Sequence, residues 1–193
     1  MATLARIYPH SGIYPGKFNV VPTSETVIVA DGSWNANSTN WGGFGLRQLI
    51  PAASVLENAS AVSVEFVAPS TGEGFAVANA YIGEQAASGD AWDFAATPTQ
   101  ILFSAGATFS ISAGETIVSD SVTISIDSAE NLIVAVGMSS DTANDSVRTQ
   151  GSASGFNIYY KSGAASESGT ADVTGYSASE SNRLFVGEIL KIS

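Results

Sequence analysis

Residues 111–126, ISAGETIVSDSVTISI, hold two short apolar runs joined by residues that favour turns. Gly114 follows Ser112 and Ala113, a combination typical of a tight turn. Ile117 and Val118 begin one run, and Val122, Ile124 and Ile126 form a second in which every other residue is apolar. Such alternation is the pattern of a half-buried strand. The stretch therefore predicts a turn, a strand, an interruption and a second strand.

The interruption is Ser119-Asp120, a pair that could belong either to a serine-acid site or to a bend. A serine nucleophile needs a base beside it, and the single histidine of the chain is His10, about a hundred residues earlier. No Gly-x-Ser-x-Gly sequence occurs either. We therefore predict that Ser119-Asp120 bends the first strand into the second.

The same two-residue period recurs along most of the chain, with turn formers at short intervals and no long helical period between the strands. Residues 46–56 could form a short helix, but Pro51 interrupts them, and a strand followed by a turn is the alternative. The pattern predicts an all-β fold, a jelly-roll-like antiparallel β-sandwich. The series that carry it are Val62, Val64 and Phe66; Phe109 and Ile111; Leu132, Val134 and Val136; and Phe156, Ile158 and Tyr160.

Residues 1–25 differ in composition from the rest of the chain, because Ile-Tyr-Pro occurs twice there with glycine nearby. We predict an extended N-terminal arm over residues 1–25 that serves attachment or assembly, and a β-sandwich domain over residues 26–193. An irregular segment lying on its own domain is the alternative. Residues 161–182, rich in Ser, Gly and Ala, are predicted to form a surface loop outside the core, before a last strand over 183–192. The proposed attachment residues are Tyr8, Pro9, His10, Tyr14 and Pro15.

Charge and composition exclude several classes of partner. Seven Lys and Arg stand against eighteen Asp and Glu, for a net charge of −11, and no basic run is present, so nucleic acid is not expected to bind. No apolar run approaches the ~20 residues of a membrane-spanning helix, so no membrane insertion is expected. The absence of cysteine removes disulfides and thiolate metal sites, which leaves stability to the core and to assembly as a homo-oligomer.

Aromatic residues in polar loops point to carbohydrate. Sugar rings stack their C–H faces on aromatic planes, and their hydroxyls bond to Asn and Asp side chains. Two tryptophans bracket SWNANSTNWGG (residues 33–43), and a third stands in GDAWDF (residues 89–94). The alternative for each is a place in the core or at a sheet edge. The predicted carbohydrate-binding residues are Trp34, Asn37, Asn40, Trp41, Asp90 and Trp92.

Acidic residues offer weaker alternatives. A pair of carboxylates could hydrolyse glycosidic bonds, but with eighteen acids some pair can always be named. Residues 141–145, DTAND, resemble a calcium loop but lack the glycine and final glutamate of an EF-hand. We therefore expect no metal and no cofactor. The carboxylates considered for a glycosidase are Glu65, Asp90, Asp93, Glu115 and Asp120.

Five segments between residues 45 and 136 resemble a known family: GLRQ (45–48), ANAYIG (78–83), PTQILFSAG (98–106), ISAGETIVSDSV (111–122) and LIVAV (132–136). In order and spacing they are similar to the β-sandwich accessory domain that precedes some SGNH (GDSL-type) hydrolase domains. The hydrolase domain has no counterpart after residue 140. The resemblance therefore implies a fold and glycan recognition, and it argues against esterase activity. Similar stand-alone sandwiches occur in spikes and fibres of tailed phages.

Together these features predict a non-enzymatic virion structural protein, a spike, fibre or decoration subunit on the exterior of a phage or phage-like particle. Its arm would contact other virion proteins, and its sandwich would bind cell-surface polysaccharide. The first alternative is a cellular carbohydrate-binding or adhesin module at the cell surface or outside the cell. The second is a glycosidase that uses a carboxylate pair.

Overall fold

A computed structural model describes residues 25–31, 36–38, 40–139, 146–151, 155–178, 182–183 and 185–193. The predicted arm lies outside these residues except for Glu25, which begins the first strand. None of the described residues forms a helix long and apolar enough to cross a membrane.

The described part of the chain is almost entirely β-structure, with two short 3₁₀ turns at Ala52–Ser54 and Ala165–Glu167. The strands are β1 (Glu25–Val29), β2 (Ala36–Ser38), β3 (Phe44–Ile50), β4 (Ala59–Val67), β5 (Phe75–Glu84), β6 (Thr99–Ile101), β7 (Phe109–Ile111), β8 (Thr116–Val118), β9 (Val122–Ile126), β10 (Leu132–Met138), β11 (Val147–Gly151), β12 (Asn157–Ser162), β13 (Ser177–Ala178), β14 (Asn182–Arg183) and β15 (Val186–Ile192).

Two antiparallel sheets pack against each other, so the prediction of an all-β antiparallel sandwich is confirmed. The first sheet has five strands in the order β1-β15-β4, with β8 and β9 both paired to β4. The second has seven strands in the order β13-β12-β3-β10-β5, with β6 and β7 both paired to β5. A third, three-stranded sheet has the order β14-β11-β2.

The main core lies between the two large sheets, and strand β10 shows how the sequence builds it. Leu132, Val134 and Val136 face this core, while Ile133 and Ala135 belong to a second apolar cluster on the other face of the same sheet. All seven residues of β10 are buried. The sequence pattern predicted a half-buried strand, and that prediction is wrong because both faces of the strand are covered.

Residues 46–56 are a strand followed by a turn. Strand β3 runs to Ile50, Pro51 follows in extended conformation, and a single 3₁₀ turn begins at Ala52. Proline has no amide hydrogen for a helix interior, so the strand-and-turn interpretation is the one confirmed. Alternate residues of β3 face opposite sides: Leu46 enters the main core, and Leu49 enters the second cluster.

Ser119-Asp120 is a β-bulge, which confirms that it bends one strand into the next. Val118 pairs with Glu65 and Val122 pairs with Val62, so three residues of one strand oppose two of β4. Ser119 holds the bulge in place: its N–H donates to the Val64 carbonyl (3.0 Å), and its Oγ accepts from the Val64 N–H (2.9 Å). The serine hydroxyl thus occupies the place of a ladder carbonyl and has a structural role.

Asp120 supports a strained hairpin that lies next to the bulge. Phe103 and Gly106 exchange both main-chain hydrogen bonds across a two-residue turn (2.7 and 2.9 Å). Its central residues, Ser104 and Ala105, have φ of 50° and 63°, a conformation that residues other than glycine and asparagine adopt at a cost. The Asp120 carboxylate accepts from both of their N–H groups, at 3.1 and 2.7 Å. The acid therefore offsets the strain of the turn.

Replacing Asp120 with alanine is expected to lower the free energy of unfolding by about 1–2 kcal/mol, because two hydrogen bonds to a charged acceptor are lost at an exposed position. Urea unfolding measures the change. Adding Ser104→Asn and Ala105→Gly, which suit this turn type, should recover most of the loss. An unchanged stability in Asp120→Ala, or no recovery in the triple variant, would contradict the role assigned to this carboxylate.

Candidate binding surface around Trp92

Residues 85–94, the first part of the connection between β5 and β6, form a closed loop that is called here the Trp92 loop. Gln85 and Phe94 form a bridge at its base. The Ala86 N–H donates to the Asp93 carbonyl (2.8 Å), and the Asp93 N–H donates to the Asp90 carbonyl (3.0 Å). The Gln85 side-chain amide donates to the Ala91 carbonyl at 2.7 Å. The loop is therefore held by its own hydrogen bonds while residues 87–91 are exposed.

Asp93 ties the loop to a second segment of the chain. This carboxylate is buried; one oxygen accepts from the Asp90 N–H (2.9 Å), and the other accepts from the Val173 N–H (3.2 Å). The Trp92 indole N–H donates to the Val173 carbonyl (2.9 Å), and the Phe94 N–H donates to the Ala171 carbonyl (2.9 Å). Four hydrogen bonds thus fix the orientation of the tryptophan from two sides.

The second segment, called here the strap (residues 161–176), lies across the outer face of the seven-stranded sheet. Ala164, Val173 and Tyr176 are buried there in a cluster with Leu49 and Ile133. The prediction that residues 161–182 form a loop outside the core is therefore wrong for this part. Few but well-placed apolar side chains in a Ser- and Gly-rich stretch suffice to cover a sheet whose outer face is itself apolar.

Glycines let the strap backbone approach the sheet. Gly45 on β3 and Gly137 on β10 are directly paired. A Cβ on Gly45 would lie 2.5 Å from the Ala164 carbonyl oxygen, and a Cβ on Gly137 would overlap the Ala165 carbonyl oxygen. At both positions a side chain would occupy the space that the strap backbone takes.

Arg47, on the outer face of β3, joins the Trp92 loop and the strap. Its side chain is fully buried, and its guanidinium donates to the carbonyls of Trp92 (2.6 Å), Glu167 (3.0 Å) and Thr170 (2.5 Å). The rings of Phe94 and Tyr176 lie 4.8 and 5.3 Å from the guanidinium carbon. Burial lowers the pKa of Arg47, and neighbouring Tyr176, Asp93 and Glu167 oppose that shift. One side chain thus fastens both segments to the sheet.

Trp92 packs on two tyrosines and remains half-buried. Its ring centroid lies 5.4 Å from that of Tyr159 and 6.1 Å from that of Tyr176. Burial raises the pKa of both tyrosines, and for Tyr176 the nearby Arg47 guanidinium partly offsets the shift. The tyrosines are therefore neutral near pH 7 and form an apolar floor beneath the indole.

The structure places the other predicted carbohydrate residues elsewhere. Trp41 is half-buried against the main core, 5.4 Å from the Phe44 ring and 5.7 Å from the Tyr160 ring. Tyr160 and Tyr159 are neighbours on one strand and point to opposite faces. Trp41 and Trp92 therefore lie on opposite faces of the sheet and do not form one site. A role of either residue in sugar binding stays a prediction.

Of the remaining predicted residues, Asp90 lies with Trp92 and is exposed. Asn40 is exposed beside Trp41 and adopts a left-handed conformation (φ 69°). Asn37 pairs with Arg148 in the three-stranded sheet. Trp34 and the arm residues Tyr8, Pro9, His10, Tyr14 and Pro15 lie outside the described residues.

Several of the carboxylates considered for a glycosidase accept hydrogen bonds from main-chain N–H groups. Asp93 and Asp120 accept main-chain hydrogen bonds as described above, and Glu115 accepts from the Ser112 N–H at 2.7 Å. Glu65 is buried within β4. Within the described ranges no group of three or more His, Asp or Glu could hold a metal ion, and residues 141–145 lie outside them.

Comparison of the chain with protein-family models and with curated proteins finds no match in either. The resemblance to the accessory domain of SGNH hydrolases therefore stays a prediction. The structure does give its quoted segments physical roles: Arg47 of GLRQ anchors the strap, and Ser119 and Asp120 of SDSV hold the bulge and the hairpin.

The sequence prediction missed Arg47, Tyr159 and Tyr176. Arg47 had a visible signal, since it is a charged residue between Leu46 and Leu49 in a strand whose only other polar residue is Gln48. A buried charge needs several hydrogen-bonding partners. Such a position therefore indicates that other segments fold over it.

Proposed function

We propose that this protein is a non-enzymatic virion structural subunit, a spike, fibre or decoration protein on the exterior of a phage or phage-like particle, and that it binds cell-surface polysaccharide. The observation that carries the proposal is the Trp92 loop, which keeps Asp90 exposed and Trp92 half-buried on a rigid base. A site whose side chains are fixed before binding loses less entropy when a ligand binds. A sugar, whose many hydroxyl groups must give up water on binding, benefits from that saving.

The roles of the acids support a binding function over hydrolysis. Asp93, Glu115 and Asp120 each accept hydrogen bonds from main-chain N–H groups, which are structural tasks. The small share of charged residues (13%), the absence of cysteine and the resemblance to the sandwich that precedes some SGNH hydrolase domains agree with a virion or surface setting. The same features fit a homo-oligomer, which is the common state of such subunits.

Trp92→Ala is expected to weaken binding to a polysaccharide that the wild-type protein retains by more than about tenfold, because a buried aromatic contact is removed from the site. Affinity electrophoresis or calorimetry measures the change. Trp41→Ala is the matched control, since it removes the same side chain from the opposite face of the sheet. Both variants must be folded at the assay temperature, which a thermal melt establishes. Equal losses in the two variants, or unchanged binding in Trp92→Ala, would contradict the proposed site.

Residues 1–25 supply the attachment arm in this proposal. Deleting residues 2–22 should abolish or strongly reduce assembly and attachment to a particle, while the sandwich stays folded because its first described strand begins at Glu25. Analytical ultracentrifugation of the full and shortened chains measures assembly, and circular dichroism checks the fold. A shortened chain that assembled as well as the whole would remove the arm from the proposal.

A further inference from the structure

Two exposed carboxylates belong to the segments that hold Trp92. Asp90 lies in the Trp92 loop, two residues before the tryptophan, and its N–H donates to the Asp93 carboxylate. Asp172 lies in the strap: Ala171 and Val173 both pack into the second cluster and bond to the Trp92 loop, and Asp172 between them is exposed. Residues 171–173 run beside residues 92–94, so both acids lie within two residues of a group that bonds to Trp92 or of Trp92 itself.

The cations on this face are already engaged. Arg47 is fully buried and donates to three carbonyls. The Lys161 ammonium donates to both oxygens of the Glu167 carboxylate (2.8 and 3.0 Å) and to the Thr174 carbonyl (3.0 Å). Among the described residues, this surface has two cations and four carboxylates, so its formal charge is −2 (2 − 4). The cations are Arg47 and Lys161, and the carboxylates are Asp90, Asp93, Glu167 and Asp172.

This charge decides which sugar the surface can take. A uronic or sialic acid would bring its carboxylate beside Asp90 and Asp172, with no uncommitted cation among the described residues of this face to meet it. The hydroxyls of a neutral sugar can donate to both carboxylates, and a protonated amino sugar would gain a charge-assisted bond as well. The same surface is thus favourable for one class of glycan and repulsive to another.

We infer that the carbohydrate bound beside Trp92 is neutral or carries a free amine, and that Asp90 and Asp172 determine this specificity by excluding anionic sugars. The inference rests on the proposed carbohydrate-binding function and adds the chemical class of the ligand. It assigns Asp172, which lies in the strap, to the site together with Asp90.

The test uses the full-length protein on an array of oligosaccharides, each backbone present in neutral, amino and uronic forms of equal length. At 0.15 M salt we expect the neutral and amino forms of the bound backbone to be retained, and the uronic form to bind at least about tenfold more weakly. The difference should shrink at 1 M salt, where the Debye length falls to ~3 Å. In the double variant Asp90→Asn with Asp172→Asn, the affinity for the uronic form should rise about fivefold for each carboxylate removed.

Glu73→Gln is the matched control. Glu73 is exposed and precedes the ten-residue strand β5, whose far end carries the Trp92 loop roughly 30 Å away. This change removes the same charge and should leave the preference unaltered. Equal or stronger binding of the uronic form, or a preference unmoved by the double variant, would overturn the inference while leaving carbohydrate binding intact. Retention of no member of the array would instead contradict the proposed function.

Discussion

Replacing Arg47 with methionine is expected to lower the free energy of unfolding by about 3–5 kcal/mol, because three partly buried carbonyls each lose a hydrogen bond from a charged donor, worth about 1.5–3 kcal/mol. Among the described residues, only the Glu167 carbonyl of the three keeps a second donor, the Thr170 N–H. Those carbonyls belong to Trp92, Glu167 and Thr170. Methionine fills much of the same volume without donating a hydrogen bond. The loss therefore reports on the hydrogen bonds more than on a cavity.

Urea unfolding measures this change, with Lys191→Met as the matched control. Lys191 forms an ion pair with Glu57 at 3.4 Å in which both side chains are partly exposed, and removing such a pair costs less than about 1 kcal/mol. Arg47→Lys separates charge from shape, since a single ammonium cannot reach three carbonyls as the planar guanidinium does. A loss below 1 kcal/mol in Arg47→Met, or full stability in Arg47→Lys, would contradict the anchoring role.

The fold could be predicted because its signal is local. Alternation along residues 111–126 places Val122 and Ile126 in the core, and the bulge falls at the pair that broke the pattern. The role of Asp120 could not be read in the same way. Its partners, Ser104 and Ala105, are fifteen or sixteen residues away and follow β6 of the other sheet, so the contact forms where the two sheets pack together.

The grouping of the tryptophans could not be predicted, since sequence spacing does not tell which face of a sheet a loop covers. Trp41 precedes β3 and Trp92 follows β5, and these strands lie in the same sheet. Their neighbours Tyr160 and Tyr159 alternate along β12, which sends the two indoles to opposite faces. The strap was missed because a Ser- and Gly-rich composition usually marks a solvated loop, whereas here glycines on the sheet provide the space that the strap fills.

Gly137→Ala is expected to lower the free energy of unfolding by about 2–3 kcal/mol, because the new methyl group would overlap the Ala165 carbonyl oxygen and force the strap away from the sheet. Alanine ordinarily favours a strand over glycine, so backbone propensity alone would give the opposite sign. Urea unfolding measures the stability, and hydrogen exchange at the Glu167 and Thr170 amides, both bonded within the strap, reports its release. A neutral or stabilising effect would show that the strap does not depend on this close approach.

Combining the two changes tests whether Arg47 and Gly137 hold the same element. If each change releases the strap, the second change has less left to disrupt. The loss of unfolding free energy in the double variant should then be smaller than the sum of the two single losses by about 1–2 kcal/mol. Arg47→Met with Asp120→Ala is the control pair, because Asp120 lies in the other sheet and supports a different hairpin; those losses should add. Additive losses in the Arg47 and Gly137 pair would mean that the anchor and the glycine contact act on separate parts of the strap. Coupled losses would mean that the strap and the Trp92 loop detach as one unit. The orientation of Trp92 would then depend on the close contact between Gly137 and the Ala165 carbonyl.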